Sequence, residues 1–173
     1  IHQDLNFSLR RGELISLCGP NGAGKSTLLR TIANLQSPLS GEIEVLEKPM
    51  KSYSEKELSH AITVVLTDRS HTGGLTVKEV VALGRQPYTG FFGRLSKEDK
   101  TLVDSAVESV GMTGKEEVYM SELSDGERQK VMIAKSLVQE CPIVILDEPT
   151  AFLDVASRIE ITQLLHDIAH QQN

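Results

Sequence analysis

Apolar and polar residues alternate through Leu5-Asn6-Phe7-Ser8-Leu9, the period of a half-buried strand. Arg11-Gly12 predicts a turn, and the mostly apolar Leu14-Ile15-Ser16-Leu17-Cys18 a second strand. A glycine-rich stretch follows, then a helical pattern from Lys25 to about Ala33. Ser37–Gly41 reads as a turn, Glu42–Val45 as a short edge strand and Ala61–Leu66 as a buried strand. From Thr76 to about Glu140 the pattern is helical. Leu102, Val103, Ala106, Val107 and Val110 form one stripe there, ended by Gly111. Pro142 opens a strand over Ile143–Leu146. A last helix is expected from about Val155 to His170, with Ile161, Leu164, Leu165 and Ile168 facing inward.

Four helix starts carry Ser or Thr followed three residues later by Glu or Asp: Ser54/Glu57, Thr76/Glu79, Ser96/Asp99 and Ser124/Glu127. In this pattern the hydroxyl accepts an early backbone N–H while the acid reaches back to the cap residue's own N–H. Strands thus frame the chain and helices fill its middle, which predicts an α/β core (1–66 and 141–173) interrupted by a helical insertion (67–140).

The 173 residues suit one domain with an insertion, and 39% hydrophobic with 24% charged residues excludes a disordered or low-complexity chain. The net charge of −6 disfavours a free-standing nucleic-acid binder or a polybasic membrane anchor, both of which need a basic surface. No apolar run approaches the ~20 residues of a membrane span. Any work at a membrane therefore requires another protein to hold the chain there. The cysteines, Cys18 and Cys141, are expected at opposite ends of a sheet, beyond disulfide reach, as small buried hydrophobes in a reducing compartment.

Gly19-Pro20-Asn21-Gly22-Ala23-Gly24-Lys25-Ser26 matches G-x-x-x-x-G-K-[ST] between an expected strand and an expected helix. Glycines let the backbone wrap a phosphate group with its N–H groups, and the helix start adds partial positive charge. Lys25 supplies a cation for the β- and γ-phosphates and Ser26 a hydroxyl for Mg²⁺; Thr27 follows in the first turn. The apolar strand Ile143–Leu146 ends in Asp147 and Glu148. Ligands of open α/β sheets bind beyond the carboxyl ends of the strands, so Asp147 is expected beside the Mg²⁺ held by Ser26. Glu148 projects differently, toward a position for an attacking water.

Between these sites lies Leu123-Ser124-Asp125-Gly126-Glu127-Arg128-Gln129-Lys130. It resembles the signature motif of ATP-binding-cassette (ABC) ATPases, commonly Leu-Ser-Gly-Gly followed by Glu or Gln, and Pro149–Asp154 resembles the D-loop of that family. The resemblance spans essentially the whole chain. It implies a P-loop NTPase core of the ABC ATPase type with an inserted helical subdomain, ATP as substrate and Mg²⁺ as cofactor. It also implies a head-to-tail homodimer in which Leu123, Ser124, Asp125, Gly126 and Glu127 meet the ATP of the partner, Ser124 and Gly126 touching its γ-phosphate. Two departures stand out: Asp125 replaces the first glycine of the pair, and Thr67 occupies the position of the Q-loop Gln, where it would be a shorter ligand for Mg²⁺ or water. The resemblance further implies an adenine-stacking aromatic before Ile1 and a switch His after Asn173, so that the chain is truncated at both ends. His166 and His170 are expected to be ordinary helix residues.

Val81-Ala82-Leu83-Gly84-Arg85-Gln86-Pro87-Tyr88 resembles ATPase subunits of iron-siderophore, haem and cobalamin importers. The bland reading of the run is a helix end followed by a proline turn. The resemblance implies docking of two membrane permease subunits near Arg85 and Tyr88, with Phe91-Phe92 as further contacts and both marked residues partly exposed. It places the protein at the cytoplasmic face of the membrane without insertion. The rival readings are a soluble ABC ATPase of chromosomes or ribosomes and a non-hydrolysing, nucleotide-gated interaction module. The absence of a long coiled coil between the motifs speaks against the chromosome type, and the single cassette against the ribosomal type. Glu148 speaks against the interaction module.

Overall fold

The computed structural model describes residues 5–66, 74–90 and 93–171. Its central feature is a parallel pair of strands, β3 (Ile62–Val65) and β4 (Ile143–Leu146), in the register Ile62↔Ile143 through Val65↔Leu146. Asp147 N donates to Val65 O at 2.9 Å and extends this ladder one step, which holds Asp147 at the carboxyl edge of the pair. A parallel pair needs a crossover, and here the crossover contains the helices of the middle of the chain.

Ahead of this pair lie α1 (Lys25–Ile32), a small hairpin of β1 (Glu44–Val45) and β2 (Lys48–Pro49), and α2 (Glu55–Ala61). The hairpin turns on Leu46 and Glu47, both left-handed at φ 50° and 62°, the backbone of a two-residue type I′ connection. No Asn-Gly or Gly-Gly marks it, so the partner strand β2 was not expected. Val45, Met50, Leu58, Ala61, Ile62 and Ile145 form the apolar cluster beneath these elements.

The middle of the chain forms α3 (Val77–Ala82), a 3₁₀ segment at Leu83–Tyr88, α4 (Lys97–Ser109) and α5 (Asp125–Leu137). All four expected capping boxes are present, at Ser54/Glu57, Thr76/Glu79, Ser96/Asp99 and Ser124/Glu127. Val103, Ala106, Val107 and Val110 of the predicted stripe are buried, and Gly111, at φ 70°, ends it. A second apolar cluster joins α3, α4 and α5 to α6 (Val155–Gln171) through Val77, Val81, Val107, Val131, Ile133 and Ile161. Leu164, Leu165 and Ile168 pack against it, as their spacing predicted. His166 and His170 are exposed and stack on each other at 4.1 Å.

Three expectations fail. Leu5–Leu9 and Leu14–Cys18 run on either side of a turn, with Gly12 at φ 79° and Glu13 N bonded to Arg10 O, but neither joins a ladder among the described residues. Leu5, Phe7, Leu9, Leu14, Ile15 and Leu17 are exposed, because alternation yields a strand only where a neighbouring backbone and a covering layer meet it. For the same reason Cys18 is exposed rather than a buried hydrophobe. Cys141 is buried, both thiols are free, and burial pushes the Cys141 thiol up to about 11.

The third failure is Arg85, which was expected to be partly exposed. It is 6% exposed and works inside the domain. Its Nε donates to Asp99 Oδ1 at 2.7 Å, and its Nη1 donates to Val138 O at 2.8 Å and Glu140 Oε2 at 2.7 Å. Its guanidinium lies 3.8 Å from the centre of the Tyr88 ring. Gly84 makes this approach possible, since a Cβ there would lie 2.2 Å from Lys135 O. The buried Asp99 carboxylate, which also caps α4, depends on Arg85 for its countercharge, so truncating the arginine would strand it. Tyr88 is 40% exposed, donates its hydroxyl to Gln139 O at 2.8 Å and meets the edge of His60. Phe91 and Phe92 lie outside the described residues.

Candidate functional site

The loop over Gly19–Gly24 leads directly into α1. Gly22 and Gly24 are left-handed, at φ 79° and 93°, a backbone that other residues adopt only under strain. Gly24 is the N-cap residue of α1 and offers no side chain to it, and the first turn holds no acid. The early N–H groups of this helix, which have no intrahelical partners by geometry, therefore face a site without a side-chain cap. Pro20 O accepts from Ala23 N at 3.3 Å and closes the loop around Asn21. Lys25 folds back over the loop and donates from Nζ to Gly19 O at 2.8 Å and Pro20 O at 2.9 Å. These bonds fix the ammonium beside the uncapped helix end and leave it one further N–H.

Ser26 Oγ donates to Asp147 Oδ1 at 2.8 Å, across 121 residues of sequence. The expected meeting of loop hydroxyl and strand-end carboxylate is thus present. Asp147 is 6% exposed, whereas Glu148 next to it is exposed and left-handed at φ 50°. That backbone twist separates the two carboxylates: one turns inward to Ser26, the other outward. Hydroxyl and carboxylate oxygens are the hard donors that suit Mg²⁺. Thr27 stands behind them in the first turn of α1, its carbonyl accepting from Thr31 Oγ1. Thr67 lies outside the described residues.

After Glu148 the chain turns, Ala151 N donating to Glu148 O at 2.9 Å, and reaches Asp154. The Asp154 carboxylate takes Ser157 N and Ser157 Oγ, each at 2.9 Å, and so caps the start of α6. These two bonds, the backbone one foremost, hold the acid below its ordinary pKa.

The Leu123–Glu127 segment stands at the start of α5. Leu123 is buried and anchors it. Ser124 is the N-cap, with Glu127 N bonded to its Oγ at 3.3 Å and its own N and Oγ donating to Glu127 Oε2 at 2.9 and 2.8 Å. Glu127 also pairs with Lys115. The Lys115 contact, followed by the Ser124 bonds, lowers its carboxyl to about 2. Asp125 does not face an unpaired neighbourhood: its Oδ1 accepts from Arg128 Nη1 at 3.0 Å. Gly126 is buried against α6, where an added Cβ would lie 2.8 Å from Ser157 Oγ and 3.1 Å from Ser157 Cβ. The Gly19–Ser26 loop and Asp147 are therefore joined through Ser26, while Leu123–Glu127 and Asp154 meet each other through Ser157. Two residues of this second assembly, Lys115 and Ser157, escaped sequence reasoning. Ser157 had a weak signal, standing three residues after Asp154 in a capping spacing; Lys115 had none.

Residues 2–151 match the model of the ABC transporter family. The chain belongs to that family. It is 44% identical over 171 residues to an uncharacterised ABC transporter ATP-binding protein of Methanocaldococcus jannaschii, covering 99% of this chain and 59% of that protein. It is 38% identical to the iron(3+)-hydroxamate import ATP-binding protein FhuC of Bacillus subtilis, covering 99% of this chain and 64% of FhuC. A solved inward-facing structure of a metal-chelate type ABC transporter superposes with a TM-score of 0.86 at 32% identity, over 99% of this chain and 64% of that one. The dimeric post-hydrolysis state of an ATP-binding cassette with ADP and phosphate gives 0.79 at 28% identity, over 96% and 73%. This ABC domain thus spans about three-fifths of the length of the curated relatives it matches. No helix among its described residues is long and apolar enough to cross a membrane.

Proposed function

We propose that this chain is the nucleotide-binding part of an ATP-hydrolysing subunit that powers an ABC importer for a metal chelate: an iron-siderophore, haem or cobalamin. The observation that carries the chemistry is the Ser26–Asp147 contact, with Lys25 held over the adjoining loop and the exposed Glu148 next in sequence. The importer class is supported by the named functions of relatives such as FhuC and the cobalamin import ATP-binding protein BtuD of Halobacterium salinarum, and by the metal-chelate transporter structure. These likenesses favour the importer over a soluble cassette or a non-hydrolysing module.

In this reading Gly19–Gly24 and the first turn of α1, with Lys25, Ser26 and Thr27, wrap the phosphates of ATP. The charge of Lys25 is directed at the β- and γ-phosphates. Ser26 and Asp147 would hold Mg²⁺, with Thr67 as a further ligand; when bound, the ion supplies countercharge for the transferring phosphoryl group. Glu148 orients the attacking water and accepts its proton. Leu123–Glu127 receives the ATP of a second copy, with Ser124 and Gly126 nearest the γ-phosphate, and Asp154 braces that segment through Ser157. The permease subunits dock on the partly exposed Tyr88 face, with Arg85 as its internal support, and they hold the protein at the cytoplasmic face of the membrane.

Glu148→Gln in the full-length protein tests the assignment. The amide is nearly isosteric and a far weaker base, so ATP should still bind while turnover falls by about 10²–10⁴-fold. An ATP-bound dimer should then accumulate in size-exclusion chromatography. Turnover at the wild-type rate would remove Glu148 from the role of base.

A further inference from the structure

The start of α5 presents a chemical contradiction. The proposed function asks it to receive the γ-phosphate of ATP, yet its first turn carries two carboxylates, Asp125 and Glu127. Such acids favour the helix dipole of their own helix but repel an incoming anion. The structure answers with one cation for each. Arg128 Nη1 pairs with Asp125 Oδ1 at 3.0 Å, and the same guanidinium is pinned by Met120 O at 2.9 Å and Ser121 O at 3.2 Å. Lys115, from the loop after α4, pairs with Glu127 Oε1. The other oxygen of Glu127 serves Ser124. The Lys115 contact, with the Ser124 bonds, holds the Glu127 carboxyl below the ordinary carboxylate range, so the acid is charged at neutral pH.

A second feature sharpens the need. The Ser124 hydroxyl has one hydrogen, and it is donated to Glu127 Oε2 at 2.8 Å. To donate to a phosphate oxygen, the hydroxyl must leave a carboxylate that has just gained an anionic neighbour. Glu127 then keeps the Ser124 backbone N–H and the Lys115 ammonium as its partners.

We propose that Lys115 is a positioning residue of the ATP site completed by the second copy: it neutralises Glu127 and takes over its carboxylate, so that the Ser124 hydroxyl can turn to the γ-phosphate. Arg128 neutralises Asp125 in the same manner, which accounts for an acid at a position where the family usually has glycine. The inference rests on the reading of Leu123–Glu127 as the signature that meets ATP in trans.

The test is the ATP concentration for half-maximal dimerisation, measured by light scattering on the full-length protein carrying Glu148→Gln. Adding Lys115→Ala should raise that concentration roughly three- to tenfold, the scale of an uncompensated, partly exposed charge in each of two sites. Lys115→Arg should retain dimerisation. Adding Glu127→Gln to Lys115→Ala should bring that concentration back to within about twofold of the parent, since Gln still accepts the Ser124 N–H and preserves the capping box without the charge. If Lys115 merely ties its loop to α5, Glu127→Gln brings no rescue, and the proposal is overturned. It is equally overturned if Lys115→Ala has no effect while Ser124→Arg, which blocks the helix end, abolishes dimerisation. If Ser124→Arg dimerises normally, the signature reading itself falls and takes the proposal with it.

Discussion

The starts of α1 and α5 are both helix N-termini assigned to the phosphates of ATP, and they are built in opposite ways. At α1 the cap residue is Gly24, no side chain closes the first turn, no acid stands in it, and a lysine leans over the opening. At α5 a serine and a glutamate close the turn reciprocally, and two acids sit in it with a cation for each. The α1 end is open to an anion as it stands. The α5 end is satisfied by its own side chains and must exchange one hydrogen bond to accept a phosphate. A site that binds nucleotide on its own chain suits the first construction. A site that engages only when a second copy brings the nucleotide suits the second, because a closed cap keeps the surface stable between encounters.

The largest effect expected from breaking this contrast is at α1. Lys25→Ala removes the cation held over the loop and should weaken ATP binding by about 100-fold or more, read by calorimetric titration. Unchanged affinity would mean that the open helix end is not the phosphate site. Lys115→Ala, by comparison, should act on dimer closure.

A smaller effect separates packing from ligand contact at Gly126. Gly126→Ala places a methyl group against Ser157, and overpacking should outweigh the gain in helix propensity, costing about 1–2 kcal/mol in urea unfolding. In a Ser157→Gly background the cost should shrink. An equal cost in both backgrounds would show that the contact with α6 does not dictate the glycine.

The smallest effect is in pH dependence. Glu127 has a folded-state pKa of about 2 against an ordinary value of 4.5, so it is depressed. Its contribution to stability is complete above about pH 4.5 and is lost as the pH falls toward and through 2. An NMR titration of its carboxyl should show the low midpoint, and Lys115→Ala should move it upward. A midpoint unmoved by that change would show that the Ser124 bonds alone hold the acid ionised.

Much of the site was legible because its signals are short. The phosphate loop is a run of adjacent residues, and each capping box needs only two residues three apart, so local hydrogen bonding decides them. The strand Ile143–Leu146 and the acids after it were readable for the same reason, and their meeting with Ser26 followed from the general rule for the carboxyl ends of parallel strands. Local pattern was weakest where an element needs a partner. The alternation of Leu5–Leu9 is the same whether or not a neighbouring strand is beside it, and the hairpin through Leu46 and Glu47 has no glycine to mark it.

The sequence by itself therefore determined the family, the helix starts, the glycine-rich loop before α1 and the identity of the acids at the end of β4. Tertiary structure alone decided that Arg85 lies inside, that Glu127 is paired with Lys115, and that Gly126 packs against Ser157 of α6. The physical reason is range. Capping and loop wrapping act between residues within four positions of one another. The environment of a charge, by contrast, is set by whichever side chains and carbonyls the fold carries to it, as Val138 and Glu140 are carried to an arginine more than fifty residues earlier.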